Sequence, residues 1–571
     1  MEDIINHPHD TPTMEDIISH SHDTFTHFRR RGMVPLLTDG PAPFPRHRDD
    51  VPDPANVQGD IIYLFPKVAE NFIFFRISNV AQFQRDLATF NPTHAKQVYE
   101  NLEAIHEAKT RKGPWVKIVQ KQIAFSRRGL TVLGLTEKTG DNRFDVYAMR
   151  DNKKFLGDGM PWDPVFDKPN PDPVNGTANK DLGAIHGVIT IAGSDDKMCE
   201  DATNETLTHF GGAIESHHVV VLRGRTRPGQ FKGHEHFGYQ DGISQPAMRK
   251  LIAPLPGQIQ VDAGVVIAGY KGDPALERRP KWVKDGSFMA FRKLEQLVPE
   301  FEGYVVKNGK RWREFVPKVN ADPPLSDGEG ASLWGARMFG RYRSGAPLAL
   351  TPVRDNPAMA ADPLENNNFD YTVPNYDEPT DIRCPFTAHT RKTAPRNLDP
   401  YLSKRFLEAG SIVRAGLPYG PEVTDAENAS GTSSEADNLK RGLLFVCYQS
   451  DLDSGFVRQT VGYANNDFFP TVSLIPDHHG QDPILGGPPA PVHAAAQTPI
   501  PAAQPGDAVT VIVQGKDEQQ LEVSGFASPS YAGGQSPPGI PQEFFVNSRG
   551  GEYFFVPSIS TLKDISNAHR R

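Results

Sequence analysis

The chain has 571 residues, of which 38% are hydrophobic and 23% are charged, with 50 glycines and 51 prolines. This composition is typical of a loop-rich globular protein with room for two domains. The formal net charge of −9 and the lack of a long Lys/Arg run argue against nucleic acid as a partner. The sequence also has no apolar stretch near the roughly 18 residues of a membrane span, so no membrane partner is expected.

The three cysteines, Cys199, Cys384 and Cys447, form no CxxC pair, which argues against a thiolate zinc site or a disulfide framework. The N-terminal sequence MEDIINHPHD is acidic and rich in histidine, and it lacks the basic and apolar regions of a secretory signal. We therefore expect a cytoplasmic protein, with secretion as the alternative.

Residues 1–50 are predicted to form a flexible tail. The first ten residues recur almost unchanged as MEDIISHSHD at 14–23, in a segment with few residues for a core. Its histidines offer metal ligands, but a solvated tail is the preferred interpretation. A second segment, 485–508, is rich in Pro and Ala and is interpreted as a linker or surface excursion.

Strand and helix patterns alternate along the rest of the chain. Runs rich in β-branched and aromatic residues predict strands at 60–65, 71–77, 121–126, 187–192, 218–223, 264–270, 286–294, 410–416 and 442–449. Helical periodicity predicts helices at 79–90, 94–111, 195–210, 294–306 and 456–469.

This order of elements predicts an α+β fold with two halves, each a sheet with helices packed on one face. We place the first domain at 51–245 and the second at 246–571. The last segment, EFFVNSRGGEYFFVPSIS, is apolar and aromatic, so the chain end is expected to dock back on the fold.

Three short stretches concentrate residues that can perform chemistry. GYQDG contains Asp241, RCPFTAHTRKTAPR contains His389 among cationic residues, and GSIVRAGLPYGPEV contains Arg414. Taken singly, an Asp between glycines is usually a turn residue, and a lone His usually packs at the surface or in the core. An Arg in an apolar strand usually belongs to a buried ion pair.

Taken together, the three stretches resemble the dye-decolorizing peroxidases, which are haem enzymes. GYQDGISQP resembles the Gly-x-x-Asp-Gly signature of that family, CPFTAHTRKTAPR its proximal-histidine segment, and IVRAGLPYGPEV its distal-arginine segment. Other stretches agree in order, among them HGVITIAG, GSFMAFRKLEQ and GARMFGRYRSGAPL. The resemblance is closest to fungal members. It implies two ferredoxin-like halves, with antiparallel sheets, helices packed outside, and haem in the C-terminal half.

The resemblance also implies an activity. The protein would reduce H2O2 and oxidise dyes, phenols or similar donors through a ferryl porphyrin-radical intermediate, with His389 as the proximal iron ligand and Asp241 and Arg414 as catalytic residues. A carboxylate can move a proton between the peroxide oxygens, and a guanidinium can stabilise the charge that grows as the O–O bond breaks. Because an unperturbed Asp has a pKa of about 3.9, an acidic pH optimum is predicted.

Further residues receive roles from the same resemblance. Arg396 is expected to bind a haem propionate, with Arg391 as a weaker candidate and surface ion pairing as the alternative for both. The second ring nitrogen of His389 needs an acceptor, for which Asp451, Asp453 and a backbone carbonyl are open alternatives.

Tyr419 is expected near the haem and pointing outward, where it would pass electrons to bulky dyes, although packing is the preferred interpretation. All five tryptophans precede His389, so a tryptophan route from the C-terminal region is not expected. Because the sequence has no CxxCH motif, one haem b per chain is expected to bind non-covalently. The alternatives are a haem-processing enzyme that removes iron and a haem-binding or storage protein.

Overall fold

The computed structural model describes residues 51–167, 185–315, 323–373, 383–396, 402–466, 469–470, 481–486, 508–514, 520–526 and 544–568. The predicted tail at 1–50 and nearly all of the Pro/Ala-rich segment at 485–508 lie outside the described residues.

The strands and helices follow the chain in an alternating order. The strands are β1 Ala69–Phe75, β2 Val119–Phe125, β3 Gly187–Gly193, β4 Val220–Arg225, β5 Ala247–Met248, β6 Gln260–Val261, β7 Ser287–Gln296, β8 Val413–Arg414, β9 Leu417–Tyr419, β10 Gly442–Gln449, β11 Ala508–Gln514, β12 Gln520–Phe526 and β13 Val546–Val556. The α-helices are α1 Val80–Phe90, α2 Ala95–Thr110, α3 Arg127–Val132, α4 Asn142–Val146, α5 Pro164–Asp167, α6 Asp196–His209, α7 Val298–Gly309, α8 Trp312–Phe315, α9 Asp327–Phe339, α10 Pro357–Ala361, α11 His389–Thr393, α12 Lys404–Ala409, α13 Asp425–Ser430 and α14 Ile559–Asn567. Residues Asp453–Ala464 form a π-helix.

One nine-stranded sheet organises the fold. Its order is β4-β1-β3-β2-β13-β7-β10-β8, with β9 also paired to β10, and every pair is antiparallel. The strands of the two predicted halves meet where Phe125 of β2 pairs with Phe555 of β13. The C-terminal segment therefore docks back on the fold as predicted, as an interior strand.

The two edges of this sheet approach each other, because a Cβ on Gly224 of β4 would lie 3.2 Å from Cβ of Leu417 in β9. The enclosed core draws on both halves: the rings of Phe72 and Phe291 are 5.1 Å apart, and those of Phe74 and Phe291 are 4.9 Å apart. The α+β fold class is thereby confirmed, whereas the domain boundary at residue 245 stays a prediction.

Several helices begin where the sequence offers a capping side chain. Asn79 accepts a hydrogen bond from the Gln82 N–H at the start of α1, and Asp195 caps α6 in the same way. Helix α7 begins at Val298 rather than at 294, because residues 294–296 belong to β7, and Pro299 occupies its first turn, where a missing N–H costs nothing. None of the helices in the described ranges is long and apolar enough to cross a membrane.

Two predicted strands are wrong. Residues 60–65 form a buried loop, in which Asp60 has φ 70° and its carboxylate accepts the Phe65 N–H at 2.7 Å. Residues 264–270 fold into a tight turn, in which the Gly264 N–H donates to the Lys271 carbonyl at 3.0 Å. Both runs are apolar because they are buried, and burial alone does not distinguish a strand from a packed loop.

A second layer covers the opposite face of β7 and β13. It contains α7 and α9 and has its own apolar core around Phe301, Leu333 and Phe339. The gap between this layer and the sheet is where the functional residues lie.

Candidate active site

A cavity of about 340 Å³ lies against the face of β7 and β10 that points away from the main core. Alternate residues of these strands line it, among them Arg292 and Leu294 on β7 and Leu443 and Phe445 on β10. Asp241, His389 and Arg414 line the same cavity, although they are far apart in sequence. Its volume falls in the range of small-molecule and cofactor sites.

Arg414 is held by the sheet and by a neighbouring loop. Its strand, β8, pairs with β10 opposite Cys447, which directs the side chain to the cavity face. Gln245 fixes the backbone from the other side, because its amide donates to the Arg414 carbonyl at 2.8 Å and accepts the Arg414 N–H at 3.0 Å. The guanidinium is thus positioned by the backbone before any ligand arrives.

Asp241 faces that guanidinium. Nη1 of Arg414 donates to Oδ1 of Asp241 at 3.1 Å, and Nη2 donates to the Ser244 carbonyl at 3.1 Å. Both side chains are more than one-third exposed, so the pair opens to the cavity rather than lying in the core. Gly242 follows with φ 76°, a left-handed conformation that favours glycine and turns the chain sharply after Asp241.

The loop before Asp241 is held by a partly buried carboxylate that sequence reasoning missed. Glu235 accepts the N–H groups of Phe237 at 2.9 Å and Tyr239 at 2.8 Å, and it also accepts from the Gln296 amide on β7. Burial raises the pKa of Glu235. This side chain ties the Asp241 loop to the sheet.

His389 begins α11, and its ring is held by Asp482. Nδ1 of His389 lies 2.7 Å from Oδ2 of Asp482, whose side chain is fully buried. Oδ1 of Asp482 accepts the N–H groups of Ile484 and Leu485 at 2.8 and 3.0 Å. Because the carboxylate accepts, Nδ1 carries the proton and Nε2 keeps the lone pair that a metal requires.

The acceptor for His389 is therefore neither Asp451 nor Asp453, the two candidates from the sequence, nor a backbone carbonyl. Asp453 pairs with Arg143, and Asp451 accepts the Ser454 N–H at 2.9 Å. Both lie at the start of the π-helix, and that helix presents residues further along, such as Phe456, to the cavity.

The two predicted propionate residues differ in their placement. Arg396 lines the cavity and adopts φ 61°, a left-handed conformation that is uncommon for a residue other than glycine. Arg391 is buried away from the cavity lining: it donates to the Cys384 carbonyl and lies over the rings of Phe386 and Tyr371 at 4.1 and 4.5 Å. The structure thus brings only Arg396 to the cavity.

Tyr419 does not point outward, and this part of the expectation is wrong. In the β9–β10 register, Tyr419 pairs with Gly442 and Leu417 pairs with Leu444. Leu444 belongs to the main core, so these paired positions lie on the core face of the sheet. Tyr419 is accordingly 9% exposed and packs in the main core. Packing, the preferred interpretation from sequence, agrees with this placement, and electron transfer through Tyr419 stays a prediction.

The residues around the cavity fit a haem. One wall offers an imidazole that is 27% exposed, with its second nitrogen already held by a buried carboxylate. Apolar side chains such as Leu443, Phe445 and Phe456 suit a flat macrocycle, and Arg396 suits a carboxylate substituent.

Known proteins match the chain over most of its length. Residues 56–228 match the family described as the DyP dimeric alpha+beta barrel domain. A dye-decolorizing peroxidase of Exidia glandulosa is 37% identical over 515 residues, which are 89% of this chain and 86% of the relative. The chain belongs to the dye-decolorizing peroxidase family.

Solved dye-decolorizing peroxidases share the fold. One, in complex with 2,6-dimethoxyphenol, has a TM-score of 0.67 at 34% identity and covers 90% of this chain and all of its own. Another, from the protein AauDyP and complexed with imidazole, has a TM-score of 0.67 at 35% identity, with 90% and 99% coverage. Members of this family are haem peroxidases, and this chain is therefore a peroxidase. The predicted resemblance to fungal members is confirmed, because the relatives of this identity come from fungi.

Proposed function

We propose that this peroxidase holds one haem b per chain without a covalent bond, with Nε2 of His389 as the iron ligand and Arg396 at a propionate. One observation carries the proposal: two hydrogen-bonded pairs meet at one cavity. His389 with Asp482 forms the first pair, and Asp241 with Arg414 forms the second. When bound, haem supplies the iron at which peroxide is reduced and the oxidising equivalents that donors consume.

Asp241 acts as the acid and base for peroxide. With haem bound, its carboxylate would move a proton from one oxygen of H2O2 to the other, which would leave as water, while haem would supply the two electrons that break the O–O bond. The loop held by Glu235 and the turn at Gly242 keep the carboxylate at the cavity, which preserves the short path such a transfer needs.

Arg414 stabilises charge during the same step. A guanidinium is always charged, and its N–H groups donate to the peroxide anion and then to the departing oxygen. The 3.1 Å contact with Asp241 orients both groups before peroxide binds, so little reorganisation is needed when charge develops.

Organic donors of the phenol class are the proposed reductants. A solved relative is complexed with 2,6-dimethoxyphenol, and Asp241 and Arg414, which are more than one-third exposed, offer hydrogen bonds to a phenol hydroxyl. Dyes too large for the cavity would react at the protein surface.

The test compares haem binding with peroxide reactivity in purified protein. Arg414→Leu is expected to keep haem but to lower the second-order rate with H2O2 by at least about 100-fold, because a preorganised donor to the developing charge is lost. His389→Ala is expected to weaken haem binding itself. Arg405→Leu, an exposed arginine on α12, is the matched control and should leave both properties unchanged.

Two results would contradict the proposal. Haem that binds to the wild-type protein but stays spectrally unchanged on addition of H2O2 would point to a binding or storage role. Wild-type peroxide kinetics in the Arg414→Leu variant would remove this residue from the mechanism.

A further inference from the structure

Arg341 reaches the same cavity as Arg396 and is 8% exposed. It follows α9, whose last residue, Phe339, has its ring 6.3 Å from the His389 ring. Arg341 and His389 therefore line one cavity, so a ligand of that imidazole lies in the space that Arg341 reaches.

Neutral oxygens, and no carboxylates, hold the two guanidiniums among the described residues. Nη1 of Arg341 donates to the carbonyls of Gly345 and Asn366 at 2.8 and 2.7 Å. Nη1 of Arg396 is within 3.0 Å of the carbonyls of Gly257, Asn367 and Phe369. These bonds fix the positions of both groups without neutralising their charge.

The two guanidiniums carry the same positive charge and repel each other. Burial, and then the nearby Arg396, lower the pKa of Arg341 to about 10, and burial also lowers the pKa of Arg396. Asp370 acts on Arg396 only from beyond ion-pair distance. A buried guanidinium beside a partly buried one is unfavourable until an anion joins them, so this end of the cavity is suited to carboxylates.

Asn367 joins the two guanidiniums. Its side-chain oxygen accepts from Nη2 of Arg341 at 3.1 Å and from Nη2 of Arg396, while its amide donates to Oγ of Ser244 at 2.9 Å. Phe369 lies under both groups, 3.9 Å from Arg396 and 5.5 Å from Arg341. Of the five N–H groups of Arg341, three donate to the oxygens named here, so others remain for a ligand.

We propose that Arg341, fixed to Arg396 through Asn367, is a second binding residue for the carboxylates of the cofactor. The inference rests on the proposed function, because it takes the ligand of His389 to be a porphyrin with two carboxylate arms. Arg396 then meets one carboxylate and Arg341 meets the same group or the other. The site thereby selects a porphyrin with free carboxylates over one in which they are blocked.

The test titrates the full-length apoprotein with haemin and, separately, with haemin dimethyl ester, which has the same ring and iron but no carboxylate charge. Dissociation constants are read from the Soret band. The wild-type protein is expected to bind haemin at least about tenfold more tightly than the ester. Arg341→Leu should lose about tenfold in haemin affinity and none in ester affinity, so that the preference for haemin collapses.

Arg343→Leu is the matched control, because Arg343 lies two residues further on, is exposed and pairs with Glu302. It should keep the wild-type preference. Arg341→Gln, which keeps hydrogen-bonding capacity without the charge, is judged by the same ratio and decides the question if the leucine variant does not fold.

A wild-type ratio of the two affinities in both Arg341 variants would overturn the assignment, as would an equal loss of affinity for both porphyrins. The assignment also fails if the wild-type protein binds haemin and its ester equally well, since an anionic donor would then be the better occupant. If neither porphyrin binds to wild-type protein, the proposed function falls and this inference falls with it.

Discussion

Replacement of Asp482 by Asn tests how the proximal imidazole is prepared for iron. In the wild-type structure, one carboxylate oxygen accepts from Nδ1 of His389 at 2.7 Å and the other accepts two backbone N–H groups. Asn has one acceptor, which stays with the backbone, so its NH2 group faces Nδ1. The imidazole must then move its proton to Nε2, which removes the lone pair from the iron, or break the contact, which leaves the ring without the partner that orients it.

A large loss of haem affinity is expected, although the Asp482→Asn substitution only replaces one oxygen by an NH2 group. Outer partners of metal-bound histidines are typically worth 10–100-fold in metal affinity, or roughly 1.4–2.7 kcal/mol. Asp482 is fully buried, so solvent does not screen the contact and the upper end of this range is expected. Removal of the negative charge also makes the imidazole a weaker donor, which should raise the iron reduction potential.

The assay is a Soret titration of apoprotein with haemin, followed by redox titration of the complex that forms. Asp451→Asn is the matched control, since Asp451 was a candidate for the same role but hydrogen-bonds to its own helix start. If the Asp482→Asn variant bound haemin as tightly as the wild type and had the same potential, the proposed link from Asp482 through His389 to the iron would be refuted.

Three further predictions concern stability. Gly340→Ala should lower the melting temperature, because φ is 85° and the new Cβ would lie 2.0 Å from an oxygen on α11. Gly303→Ala is the control and should not lower it, because a Cβ there meets no atom within 4 Å. Equal melting temperatures for the two variants would contradict this prediction. Arg441→Leu should cost roughly 3–5 kcal/mol of unfolding free energy in urea, because Glu427 loses a buried two-point ion pair at 3.0 and 2.7 Å, and a double leucine variant should regain most of it. Burial lowers the pKa of His236 to about 4, below its value of about 6.5 in the unfolded chain. The stabilisation from this neutral imidazole is therefore fully present above pH 6.5, and the free energy of unfolding falls by roughly 3 kcal/mol as the pH drops towards 4. His236→Gln should flatten this part of the urea-denaturation profile, and an unchanged profile would exclude His236 as its source.

Elements with a clear local period were predicted well. β1 and α1 follow from a run of β-rich residues and from an amphipathic pattern with an Asn cap, and both signals lie within a dozen residues. Residues 60–65 and 264–270 carried the same apolar signal but form loops, because Asp60 and Gly264 make local hydrogen bonds that compete with strand pairing.

The three chemical stretches could be recognised from sequence because each is short and continuous. Asp241, His389 and Arg414 lie in such stretches, and their chemistry follows from residue type. Asp482 gave no comparable signal: it lies 93 residues from His389 and is one of 70 acidic residues in the chain.

Placement on a face required the folded sheet. Tyr419 is only five residues from Arg414, yet the β9 register turns it to the core while β8 directs Arg414 to the cavity. A change of one residue in register reverses the face of every side chain, and no local pattern sets that register across strands distant in sequence. The amino-acid sequence alone thus established the fold class and the chemical groups, whereas long-range strand pairing settled which groups share the cavity.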